Sequence, residues 1–189
     1  MHPLGGSAAK YIPYILTGPS LSQHILIDDV FIDVTQLSAE YLFSYEGDGH
    51  VGAVGNYTAA FQKWNVYVRD GRCQVEYPTA TLDFSGPYSP WPCRIYANQT
   101  PNGCTINGEY KPWTAAGYMS DLVVYVHGRT GSNPGGKRYY WIKLRMGDDL
   151  VRDLVPAVHN GWVGLRDKVT GKFYTSNYAD AWIYGNEPV

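Results

Sequence analysis

Apolar and polar side chains alternate with a period of two through most of the chain, and the three-to-four spacing of an amphipathic helix is nowhere sustained. The clearest segment runs from Trp64 to Tyr77, where Asp70-Gly71 supplies the two positive-φ positions of a tight hairpin turn. Pairing across that turn sets Val68 opposite Cys73, Val66 opposite Val75 and Trp64 opposite Tyr77 on one face. Arg69, Tyr67, Asn65, Arg72, Gln74 and Glu76 take the other. Ile25 to Val34 and Glu40 to Glu46 are further strands, and Gly47-Asp48-Gly49 turns the chain into another from Val51 to Tyr57. The proline-rich stretch from Pro78 to Pro92 predicts a long loop, after which Arg94 to Ala97 is extended. Asn107-Gly108 is a second hairpin signal, joining Cys104-Thr105-Ile106 to Glu109-Tyr110-Lys111.

The later part of the chain continues in the same way. Leu122 to Val126 is a continuous apolar run suited to a strand buried on both faces, and Arg129 to Gly136 is a turn-rich loop. Arg138 to Met146 places Tyr140, Ile142, Leu144 and Met146 on one face, and Gly147-Asp148-Asp149 reverses the chain into Leu150 to Val155. Thr170-Gly171 then separates Val163-Gly164-Leu165 from Lys172-Phe173-Tyr174. About a dozen short strands with no helix between them predict an all-β fold of two packed antiparallel sheets. Neither a repeat nor a shift in composition divides the chain. Residues 1–10 carry no apolar pattern and are expected to form a flexible arm, leaving residues 11–189 as a single sandwich domain.

Composition sharpens this picture. The chain has 189 residues, with 17 acidic against 15 basic side chains and a formal net charge of −2, so it lacks the basic surface that phosphate recognition demands. With 17 Tyr and 6 Trp it is too aromatic for a disordered chain, and its 21 Gly and 12 Pro interrupt any long helix. No run of about 18 apolar residues offers a membrane-spanning helix. Met1 to Lys10 lacks the basic-then-apolar pattern of a secretory signal. Cys73, Cys93 and Cys104 are an odd set without close CxxC spacing, and read as buried small apolar residues. A Cys93–Cys104 bridge is the alternative. Two sequons, at Asn56 and Asn98, read as chance occurrences in a chain with no secretion signal.

The last third carries more specific segments: Val123-Val124-Tyr125-Val126-His127-Gly128-Arg129, Lys137 to Leu144, Leu150-Val151-Arg152-Asp153-Leu154-Val155-Pro156, and Val163 to Tyr174. These resemble the concanavalin A-like, laminin-G-like jelly-roll domain of bacteriophage virion proteins and gut-bacterial surface proteins, in which an LVRDLVP segment precedes VGLYDKVTGKFY. Arg166 stands where that pattern has an aromatic. Tyr11 to Ile15 and Ile106-Asn107-Gly108 resemble the family's opening strand and mid-domain hairpin more weakly. The resemblance implies a two-sheet jelly-roll sandwich and says little about activity, since this fold hosts lectins, hydrolases and structural modules. Arg152 and Asp153 point to opposite faces and cannot simply pair with each other. Arg152 either meets a neighbouring strand or is solvated.

The carboxylates give little support to an enzyme. Jelly-roll glycosidases need two on one face, about 5–5.5 Å apart in retaining enzymes. Glu40, Glu46, Glu76, Glu109 and Glu187 are scattered, and the Glu-x-Asp-x-x-Glu arrangement of related glucanases is absent. Asp29 and Asp33 share a face if Ile25 to Val34 is one strand, and they are the only pair worth testing. His2, His24, His50, His127 and His159 fall at no metal-ligand spacing, and Asp48, Asp167 and Asp180 are isolated calcium candidates. No nucleophile elbow, phosphate loop or dinucleotide fingerprint occurs. No catalytic residue, cofactor or required metal is expected.

Recognition fits better. Flat aromatic faces stack on the apolar side of a sugar ring or anchor a protein contact. Tyr88, Trp91, Trp113, Tyr118 and Trp162 are the candidates, because prolines and glycines near them favour loop tips. The competing reading is that each fills the core or covers a sheet end. The resemblance implies a non-enzymatic module on a phage particle, decorating head or tail and facing host or mucosal glycans. It would be made in the host cytoplasm and partnered by other virion proteins, with no nucleic acid and no membrane insertion. A symmetric homo-oligomer suits such a role. The alternatives are an assembly protein that binds no sugar, a bacterial cell-surface location, and a glycoside hydrolase with a divergent carboxylate pair.

Overall fold

The computed structural model describes residues 8–16, 22–27, 32–33, 36–45, 51–58, 62–69, 72–77, 80–86, 92–100, 102–112, 119–120, 124–130 and 137–176. Among these residues every regular element is a strand. The first nine are β1 (Lys10–Tyr11), β2 (Ile15–Leu16), β3 (Ser22–Ile27), β4 (Ile32–Asp33), β5 (Leu37–Tyr45), β6 (Val51–Thr58), β7 (Gln62–Arg69), β8 (Arg72–Tyr77) and β9 (Ala80–Phe84). They are followed by β10 (Cys93–Thr100), β11 (Gly103–Ile106), β12 (Glu109–Pro112), β13 (Met119–Ser120), β14 (Val124–Thr130), β15 (Lys137–Met146), β16 (Asp149–His159), β17 (Trp162–Asp167) and β18 (Phe173–Thr175).

The strands form two large antiparallel sheets. The ten-stranded sheet has the order β12-β11-β10-β5-β15-β16-β17-β18, with β1 beside β16 and β2 beside β15. The six-stranded sheet runs β3-β14-β6-β7-β8-β9, and β13 and β4 make a separate two-stranded ladder. Tyr41, Phe43, Tyr139, Ile142 and Leu144 of the larger sheet share one buried cluster with Ile25, Val54, Val66, Val68 and Phe84 of the smaller. Burying each such side chain contributes roughly 1.5–3 kcal/mol relative to leaving it exposed. The chain is therefore an all-β antiparallel sandwich, compatible with a jelly roll.

Local patterning holds where turn chemistry is strong. Val66 pairs with Val75 and Val68 with Cys73, all four fully buried. Asn107 and Gly108 take φ values of 47° and 93° between Ile106 and Glu109, as a tight hairpin requires. Asn107 also accepts from Tyr96 N at 2.7 Å and donates to Arg94 O at 3.1 Å, tying the turn to β10.

Three expectations are corrected. Ile25 to Val34 is not one strand, because β3 pairs with β14 in the six-stranded sheet while β4 pairs with β13. The shared face expected for Asp29 and Asp33 presupposed that single strand, and Asp29 itself lies outside the described residues. Pro78 to Pro92 is not all loop, since β9 lies between its prolines and pairs with β8, with Phe84 buried and Thr81 and Asp83 exposed. On β15 the pairing with β5 shifts between Tyr139 and Trp141, so Tyr140 is an extra residue. This bulge puts Tyr139 in the core beside Ile142 and Leu144, where a regular strand would have put Tyr140.

The open sides of the sandwich are covered. On one side Ser85 N donates to Glu109 Oε2 at 3.1 Å, and the Lys111 ammonium donates to the Asp83 carbonyl, joining β9 to β12. On the other, an isolated bridge joins Ile25 to Ser176, just beyond β18. Such cover shields the outermost strands from pairing with other chains. All three cysteines are buried and free. Cys104 is opposite Gln99, six residues along β10 from Cys93, so at about 3.3 Å per residue the two lie roughly 20 Å apart and cannot form a bridge.

Candidate functional site

The β16–β17 hairpin turns on Asn160 and Gly161, with φ values of 50° and 82°. A turn with two positive-φ positions favours Asn-Gly, and it sets Trp162 opposite His159. Trp162, one of the five candidates, is 53% exposed. Tyr88, Trp91, Trp113 and Tyr118 lie outside the described residues, as do Asp29, Asp48 and Asp180.

Register places further groups beside Trp162. Antiparallel pairing aligns Tyr11 with Ala157 and Ala157 with Gly164, on the same outer face as His159 and Trp162. Tyr11 is 58% exposed, whereas Ala157 is fully buried without belonging to the core cluster. It forms the floor of the outer face. Gly164 completes that floor, since a Cβ there would strike the Tyr174 carbonyl and stand 2.9 Å from Phe173 Cζ. The Phe173 ring packs at 5.5 Å from the His159 ring. Asn160 Nδ2 lies 3.2 Å from His159 Nε2, and His159 Nδ1 is a buried atom with no hydrogen-bond partner. The result is a small-residue floor walled by Tyr11, His159, Trp162 and Phe173, suited to holding a flat apolar surface.

Gly164→Ala tests this floor. The new methyl group meets backbone, so β18 must shift and carry Phe173 away from His159. The substitution should cost about 1–3 kcal/mol as overpacking, lowering the melting temperature by about 5 °C. A thermal scan showing no change would mean that the floor is not close-packed.

The outer face continues across the middle of the sheet. The bulge turns both Tyr140 and Trp141 outward, with the Tyr140 hydroxyl 3.2 Å from Ser44 Oγ. Arg94, in the same cross-strand row through Leu42, and Lys143, two residues along β15, lie 5.9 and 5.7 Å from the Trp141 ring centre. Arg94 Nε donates to Glu40 Oε1 at 2.7 Å, and Tyr96 stands exposed on the same strand. Sequence reasoning missed Tyr11, His159, Phe173, Tyr96 and Trp141. They sit within strands, where alternation alone does not distinguish an outward aromatic from a core one. The Asn160-Gly161 dipeptide was the available signal for His159, because a two-residue turn pairs the residues flanking it.

Asp167, an isolated calcium candidate by sequence, is a structural group here. It is fully buried, and its carboxylate accepts from Asp153 N at 2.9 Å, Val169 N at 3.0 Å, Thr170 N at 3.3 Å and Thr170 Oγ1 at 2.6 Å. Arg152 Nε lies 3.6 Å from Oδ2, so Arg152 meets a neighbouring strand rather than solvent. Donors occupy the carboxylate's lone pairs and leave no coordinating edge. No group of three His, Cys, Asp or Glu side chains suited to a metal occurs among the described residues.

No protein-family model matches the chain, and no curated protein matches it.

Proposed function

We propose that this protein is a non-catalytic recognition module of the concanavalin A-like jelly-roll kind, carried on the surface of a bacteriophage particle and adhering to host or mucosal glycans. The observation that carries the reading is Trp162, half-exposed on a rigid hairpin with Tyr11 and His159 beside it. A sugar ring pressed to such a surface gains stacking against the aromatic faces, while His159 and Asn160 supply polar contacts at the rim. The segments resembling the phage and gut-bacterial group, Leu150 to Pro156 and Val163 to Tyr174, build β16, β17 and β18 beneath this patch. The outer-face carboxylates Glu40 and Asp153 support the non-catalytic part, because Lys143 stands between them and Arg94 engages Glu40.

A glycan array probed with clustered protein tests the reading, since clustering raises avidity for weak single contacts. Binding to a defined set of glycans is expected. Trp162→Ala should weaken it by about tenfold or more, as loss of a central aromatic anchor does, with stability changed by less than about 0.5 kcal/mol. Absence of signal above background removes the glycan reading. That outcome favours a purely structural virion protein, for which exposed Tyr11, Tyr110 and Val169 would serve as contacts to neighbouring subunits.

A further inference from the structure

Two hairpins of this protein turn on the same dipeptide, and their asparagines are held differently. Asn107-Gly108 takes φ values of 47° and 93°, and Asn160-Gly161 takes 50° and 82°. Both asparagines are exposed, and a Cβ at either glycine would meet nothing within 4 Å. The Asn107 carboxamide is tied to β10, with Oδ1 accepting from Tyr96 N at 2.7 Å and Nδ2 donating to Arg94 O at 3.1 Å. Asn160 instead sets its amide nitrogen 3.2 Å from His159 Nε2. An asparagine followed by glycine is open to attack by the backbone on its own side chain, because glycine leaves the attacking nitrogen uncrowded.

We propose that Asn160 is a self-modification site, at which Gly161 N closes on the Asn160 side chain with His159 as general acid. Gly161 N forms a bond to Asn160 Cγ and gives its proton to solvent. The Cγ–Nδ2 bond then breaks, and the nitrogen departs as ammonia with a proton from the imidazole, which recovers one from water. The 3.2 Å separation is within reach of such a transfer. Water opens the resulting cyclic imide at either carbonyl, leaving aspartate or isoaspartate, so the net change is one water consumed and one ammonia released. Asn107 must break two hydrogen bonds before its Cγ can reach Gly108 N, and is spared. Isoaspartate adds a methylene to the backbone of a two-residue turn, and so breaks the register that sets Trp162 opposite His159. The modification stands without the glycan-binding reading. Its consequence, a site that loses its ligand with age, rests on that reading.

Incubating the full chain at pH 8 and 37 °C, followed by peptide mapping with mass spectrometry, tests this. Conversion at Asn160 should run at least about tenfold faster than at Asn107 in the folded protein, and the two rates should converge in urea, where β10 no longer holds Asn107. His159→Gln should slow conversion at Asn160 by about tenfold or more. His159→Phe keeps a ring against Phe173 and should slow it equally, which serves if His159→Gln does not fold. Equal rates at Asn107 and Asn160 in the folded protein, or conversion of neither, overturn the site. An unchanged rate in both His159 variants overturns the assisted step. On a glycan array, signal should fall in step with conversion at Asn160. Conversion with undiminished signal overturns the consequence and leaves the modification standing. Conversion with an array empty from the start overturns the glycan reading alone.

Discussion

Asp167→Ala is expected to lower the unfolding free energy by about 3–5 kcal/mol, the cost of removing one partner from a buried charge pair. Arg152 is itself buried and lies 3.6 Å from the carboxylate. Without Asp167 its guanidinium keeps the desolvation penalty and loses the counter-charge. The same substitution orphans the amides of Asp153, Val169 and Thr170 and the Thr170 hydroxyl, all of which end on this carboxylate. Asp167 also anchors the turn through its backbone, accepting from Gly171 N at 2.9 Å and donating to Lys172 O at 2.9 Å. The loss would therefore fall on the β17–β18 connection first. For a domain whose total stability is about 5–15 kcal/mol, this is a large fraction. Urea unfolding measures it as a shift of midpoint. Asp167→Asn keeps an acceptor for the amides and drops the charge, so its cost should be intermediate. Adding Arg152→Met to Asp167→Asn should recover part of that cost, because replacing both charges removes the uncompensated one. A midpoint shift equivalent to under 1 kcal/mol for Asp167→Ala would show that water, rather than Asp167, satisfies Arg152.

The same residue shows where sequence reasoning stopped. Strand alternation and turn dipeptides are local, and they located the hairpins at residues 66–75 and 104–111 with correct registers. Asp167 looked isolated because its partners come from two places: its own turn, and the preceding strand, which brings Asp153 N and Arg152 from fourteen and fifteen residues earlier. The bulge at Tyr140 is equally hidden. It serves the pairing of β15 with β5, on a strand that also pairs with β2, and no local residue signals it. The boundary between β3 and β4 was signalled locally only by Asp28-Asp29, which suggest an edge or a turn, and nothing local shows that the two strands belong to different sheets. Of the candidate site, Trp162 was legible from its turn. Tyr11 was not, since only the insertion of β1 beside β16 brings together residues about 150 positions apart. An outward aromatic on a strand carries the same local pattern as an inward one until register assigns its face.

Steep loss of stability above pH 9 is the second large effect expected, and it follows from what the core encloses. Burial pushes the Cys73 thiol well above its ordinary 9.0, with smaller contributions from the Cys104 and Cys93 thiols. Burial alone raises Cys93, and takes Cys104 up to about 12. Tyr139 is likewise held far above its ordinary 10.0 by burial. In each case the folded protein keeps a proton that the unfolded chain releases. Above pH 9 the unfolded state therefore binds fewer protons, and the unfolding free energy falls as pH rises. The contribution of each thiol is fully present below its unfolded value of 9.0. It is then lost at about 1.4 kcal/mol per pH unit until the folded value is passed, which for Cys104 means near pH 12. Tyr139 adds its share above pH 10. The decisive quantity is a difference between proteins. The double variant Cys73→Val with Cys104→Val removes two of these groups at similar volume. Its urea midpoint should fall less steeply than that of the natural protein between pH 9 and 11, with the two curves parallel below pH 8.5. Equal slopes would mean that the core admits solvent to these thiols at high pH. Iodoacetamide would then label Cys73 and Cys104 in the folded protein at pH 9, where a closed sandwich should leave both unmodified until it unfolds.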